Sequence, residues 1–119
     1  MKDFVEDIAA LDHGHARFMD MLTDQYTMVA VHTLQAWEGK TLADINSNLD
    51  ATKVLLQQIA STAGAQGFAD LRASAHSCAA DVIAHLEGPD ADLAICLANI
   101  VHQMDGFVGE CRHLLDTQG

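Results

Sequence analysis

Apolar side chains recur at alternating steps of four and three along four stretches of the chain, the mark of helices that bury one face. The first stretch, residues 3–38, places Phe4, Ile8, Leu11, His15, Phe18, Leu22, Gln25, Val29, His32 and Ala36 on one stripe. Asp3 and Glu6 have the spacing of a capping box at its start, and Gly39 ends it. The second stretch, 41–63, carries Leu42, Ile45, Leu49, Thr52, Leu56, Ile59 and Ala63, with Thr41 ahead of Asp44 as its opening signal and Gly64 and Gly67 around the turn that follows. The third, 67–87, carries Phe68, Leu71, Ala75, Cys78, Val82 and His85, with Leu86 beside them, and Gly88-Pro89 breaks the chain after it. The fourth, 90–116, carries Leu93, Leu97, Ile100, Met104, Phe107, Cys111 and Leu114. Gly106 and Gly109 weaken its second half by about 1 kcal/mol each relative to Ala, which predicts fraying or a bend there.

A three-four spacing repeats every seven residues and keeps one face toward a partner when helices cross near +20°. Links of a few residues force neighbours to run antiparallel. The expected architecture is therefore all-α: one domain over residues 1–119, an up-down-up-down four-helix bundle with a long or broken first helix. That helix exceeds the others, so it either projects past the bundle or breaks near Gly14. A projecting stripe of Phe4, Ile8 and Leu11 would suit homodimerisation through the N-terminal helix.

Composition agrees with helices rather than sheet. Half of the residues are apolar, nineteen are Ala, aromatics are 5% and there is one Pro. Seventeen acids face six bases, a formal charge of −11. Phosphate-binding affinity comes largely from Lys and Arg, so this balance argues against nucleic acid, and an anionic membrane would repel it too. The charge serves solubility. No apolar run reaches the ~20 residues that span a bilayer. Three Cys, at 78, 96 and 111, form no CxxC pair, and the opening MKDFVED does not read as a signal peptide, so the expected compartment is the reducing cytoplasm.

Candidate chemistry rests on the histidines. Antiparallel registers place His15 near Met19, Cys111 and His113 at one end of the bundle, and His32 near His85 at the other, with Met28 one turn before His32. Imidazole, thiolate and thioether donors suit copper, zinc or haem ligation. The same residues also suit boundary positions satisfied by hydrogen bonds, with Met filling gaps. A carboxylate-bridged di-iron site is excluded, because the second stretch holds neither Glu nor His. The run Leu11 to Phe18 has a faint look of a hemerythrin first helix, without the remaining ligands. Val31-His32-Thr33-Leu34-Gln35-Ala36 resembles the AHTLKG motif of histidine-containing phosphotransfer domains, with Gln35 and Ala36 in place of its Lys and Gly. As phosphoacceptor, His32 falls on the buried stripe, whereas His76 is better placed for exposure. No nucleophile elbow or phosphate loop occurs, the Cys lie on or beside apolar faces, and Trp37 and Tyr26 read as packing residues. No cofactor and no catalytic residue is called for.

A further pattern runs from Ala36 to Leu71: Ala36-Trp37-Glu38-Gly39, Leu42-Ala43-Asp44-Ile45-Asn46, then Ala51, Lys53, Leu55 and Phe68-Ala69-Asp70-Leu71. It resembles the phasins, the helical proteins that coat polyhydroxyalkanoate granules. Their aromatic-Glu-Gly and Leu-Ala-x-x-Asn steps, an Ala-rich helix and an x-Glu-Leu-x-x-Leu-Gln step stand in the same order. Here Arg72 replaces a Gln and the connecting helix is shorter than theirs. The resemblance implies no catalysis: amphipathic helices shield an apolar polymer surface from water. The expected partner is such a granule surface or another protein.

Overall fold

In the computed structural model the helices are α1 (Lys2–Trp37), α2 (Leu42–Ala65), α3 (Ala69–Glu87) and α4 (Leu93–Gln118). It describes the backbone of residues 2–88 and 93–118 and the side chains of residues 16–88 and 97–117. The expected break at Gly88-Pro89 and the first turn of the fourth stretch fall partly outside these residues. Phe4, Ile8, Leu11, His13, His15 and Cys96 fall outside the described side chains.

Each helix packs on two others around a ring, α1 on α2, α2 on α3, α3 on α4, and α4 back on α1. Pairings across the seams show the directions. His32 meets Asn48 and Gln25 meets Gln58, so α1 and α2 run oppositely. One groove joins Asn46 and Asp50 to Leu86 and Glu87 across α2 and α3, and Cys78 lies against the Gln103 carbonyl across α3 and α4. The result is an all-α four-helix bundle of 63 × 20 × 20 Å.

The apolar seams form one core. Phe18, Leu22 and Val29 of α1 join Leu49, Leu56 and Ile59 of α2, Leu71 and Val82 of α3, and Ile100, Met104 and Phe107 of α4. Ala36, Ala60, Ala63, Ala75 and Ala79 are buried among them. Their small side chains let the helix axes approach closely. Two buried hydroxyls are satisfied within their own helices: Thr52 donates to the Asn48 carbonyl at 3.0 Å and Thr33 to the Val29 carbonyl at 2.7 Å. Leu42, read as the first core position of α2, is exposed, because it sits in the opening turn beyond the reach of the seam. Ion pairing contributes little, since Lys53–Asp50 on one helix face is the one salt bridge among the described residues.

The turns follow local chemistry. Thr41 caps α2, its Oγ1 accepting from the Asp44 N–H at 3.1 Å. At Gly39 a Cβ would come 2.8 Å from Ile45 Cγ1, so the first turn closes tightly because glycine stands there. The α2–α3 turn is a Schellman motif: Phe68 N–H bonds the Ala63 carbonyl, Gly67 N–H bonds the Gly64 carbonyl, and Gly67 takes φ +83°. Phe68 then stacks on Phe18, with ring centroids 5.2 Å apart, tying the turn to α1.

Of the two alternatives for the first helix, the break near Gly14 is not seen: α1 is continuous for 36 residues, against 24 in α2. Since Phe18 is level with the α2–α3 turn, the first turns of α1 run past the end of the bundle. α4 also continues through Gly106 and Gly109 without interruption.

Core and turn make separable predictions. Leu56→Ala, at 0% exposure, should cost about 2–5 kcal/mol in chemical denaturation. Gly67→Ala should cost about 1–2 kcal/mol through its left-handed φ. Val54→Ala, on the surface, should stay within about 0.5 kcal/mol of the parent.

Candidate functional site

The outer face of α1 departs most from an ordinary soluble surface. From Met28 to Trp37 the helix has no Asp, Glu, Lys or Arg. Met28, Val31, Leu34 and Trp37 are 42%, 39%, 55% and 52% exposed. Each step of three residues falls 60° short of a full turn, so the row winds across the outer face toward α4. There Leu34 and Trp37 border a groove of about 250 Å³, walled on α4 by Val101, Met104, Asp105, Val108 and Arg112. Trp37, read from sequence as packing, is therefore a surface residue, while Tyr26 does pack against the core. The seam stripes could not show this face. The charge-free run between Asp24 and Glu38 was the available signal.

The histidines are dispersed. His32 is half-buried at the α1–α2 seam rather than in the core, and its Nδ1 bonds Asn48 Oδ1 at 2.9 Å. His85 is half-buried on α3, the helix diagonal to α1. His76 is exposed, as the spacing predicts. In the motif-like stretch after His32, Gln35 is exposed and Ala36 is fully buried, so Ala36 does not shape an outer surface. At the other end Met19 and Cys111 are both in the core, whereas His113 is exposed. Residues two apart on a helix point to different sides, so Cys111 and His113 do not converge. His113 instead lines a shallow groove with Phe68, Asp70, Glu110, Leu114 and Thr117. His15, the fourth member of that set, lies outside the described side chains. Among the described residues no group of three or more His, Cys, Asp or Glu is gathered closely enough to hold a metal ion.

Two thiols lie inside the bundle. Burial, with repulsion from Asp81 and Glu110, pushes the Cys78 thiol up to about 11. Burial, then Glu110 and Cys78 itself, pushes the Cys111 thiol up to about 12. Both are protonated and poorly nucleophilic at neutral pH.

No family model matches the chain, and neither a curated protein nor a solved structure matches it.

Thiol burial is directly measurable. At pH 8, peptide mapping after alkylation should find Cys78 and Cys111 modified roughly a hundredfold or more slowly in the folded than in the unfolded chain. Their folded pKa values lie above the unfolded value, so their contribution to stability is full below about pH 9 and is lost as pH rises through 11 to 12. The parent should lose more stability than a Cys78→Ala, Cys111→Ala variant between pH 9 and 11, followed by urea denaturation at each pH.

Proposed function

We propose that this chain is a non-enzymatic helical-bundle interaction protein that covers an apolar surface in the manner the phasin resemblance implies, a storage granule being the surface of that kind. The observation that carries the reading is the charge-free, apolar outer row Met28, Val31, Leu34 and Trp37. A bundle held by its interior seams does not need these side chains outside, and exposed apolar area of this kind marks a contact surface. Trp37 suits a boundary between water and a polyester, with an apolar ring and an indole N–H that can donate to an ester carbonyl. The acidic remainder of a chain of net charge −11 faces water and keeps coated particles apart.

Two further parts belong to the same reading. The N-terminal turns of α1, running past the bundle end, supply a place for homodimerisation. The free thiols Cys78 and Cys111 suit the cytoplasm. No helix among the described residues is long and apolar enough to cross a membrane, so the contact is made from the water side.

Partitioning onto polyhydroxybutyrate particles tests the proposal. Fully burying a large apolar side chain contributes about 1.5–3 kcal/mol, and 1.4 kcal/mol is a factor of ten. Leu34→Gln with Trp37→Gln should therefore reduce partitioning at least tenfold, while Val54→Gln, exposed on α2, leaves it unchanged. Failure of the parent to partition, or an equal affinity of the double variant, would overturn it.

A further inference from the structure

Asn48 sets the state of the His32 ring. Its Nδ2 donates to the Asp44 carbonyl at 2.9 Å, which turns its Oδ1 toward His32 Nδ1, also at 2.9 Å. That oxygen carries no hydrogen, so the proton of the bond is on Nδ1 and the lone pair of the neutral ring is on Nε2. Among the described residues Nε2 has no hydrogen-bond partner, and it is not among their buried atoms lacking one, so it reaches solvent. A ring whose N–H is held by a fixed acceptor while the other nitrogen stays open is the arrangement of a metal-ligating histidine.

One turn earlier on the same face stands Met28, 42% exposed. Residues four apart on a helix have Cβ atoms about 5–6 Å apart, and the unbranched Met side chain can bring its thioether beside the imidazole. We propose that Met28 Sδ and His32 Nε2 form a two-donor site for a soft monovalent cation, Cu(I) or Ag(I), with Asn48 as its positioning residue.

The choice of ion follows from the donors. Thioether sulfur selects soft ions and imidazole suits copper. Zinc wants four ligands, and no cluster of three or more His, Cys, Asp or Glu exists among the described residues to supply them. A linear two-coordinate ion asks for no more than the pair present. Among the described residues the thiols that would compete for it, Cys78 and Cys111, are enclosed in the core. The acidic surface raises the local concentration of cations.

Silver(I) titration of the intact protein, followed by the Met28 methyl and His32 ring resonances, tests the site without redox chemistry. Both signals should move together and saturate at one ion per chain. Met28→Leu, which keeps the size of the side chain, and Asn48→Ala should each weaken that binding about tenfold or more. Silver uptake that leaves both resonances unmoved would assign the binding to thiols and overturn the proposal. So would a Met28→Leu variant within twofold of the parent, and unchanged affinity in Asn48→Ala would remove the positioning role. None of these readouts depends on granule binding.

Discussion

Burial of four heptad seams against one another is the constraint on which this molecule rests. The four-three spacing gives each helix one continuous apolar face, and the ring order lets each face meet two neighbours and the centre. Ala at 36, 60, 63, 75 and 79 brings the axes together, and Leu, Ile, Met and Phe fill the space between. The interior hydroxyls of Thr33 and Thr52 spend their hydrogen bonds within their own helix, so the polar pairs that cross from α1 to α2, His32–Asn48 and Gln25–Gln58, are left to the edge of the seam. With one ion pair among the described residues, removing apolar volume is the direct route to instability.

That constraint was legible in the chain. The stripes from Phe18 to Ala36, Ile45 to Ala63, Leu71 to Val82 and Leu97 to Cys111 are the core apart from Gln25 and His32, and the Thr41 cap and the Gly67 turn stand where their side-chain chemistry puts them. The departures have physical causes. A stripe defines a direction on a helix to within about one residue, or 100°. His32 and Gln25 therefore share a stripe with Val29 yet sit at its edge, where Asn48 and Gln58 of α2 bond them. Met19, Ala60, Ala79 and Val108 are buried although they stand beside the stripes. Whether the first helix breaks at Gly14 was not decidable from period alone, because a single glycine costs a helix about 1 kcal/mol, which is too little by itself to end one.

The surface was less legible, for a related reason. Periodicity finds side chains that face one partner, and Met28, Val31, Leu34 and Trp37 do not share a fixed face: their row drifts around the helix from the α2 side to the α4 side. The histidines misled in the opposite direction. Sequence neighbours such as Cys111 and His113 invite grouping, but two residues of separation turns one side chain inward and the other outward. His32 gained its chemical definition from Asn48, sixteen residues away and on another helix, and no spacing rule links the two.

The second half of α1 is what connects fold to role. A helix apolar on one stripe is at home in a bundle; one that is apolar nearly all round belongs in the middle of a larger structure. Between Met28 and Trp37, α1 has its inner face in the core through Val29, Thr33 and Ala36, and on its outer face the exposed side chains are apolar except for Gln35. Four helices in a ring have no fifth to cover it, and the ring geometry cannot rotate that face inward without expelling Val29 and Ala36. The chain therefore offsets the exposed row with charge elsewhere, seventeen acids against six bases, none of them within the row itself. Charge spread over the surface would have served solubility equally well if it were alone at stake. Its exclusion from ten consecutive positions leaves a face whose favourable state is contact with something apolar outside the molecule.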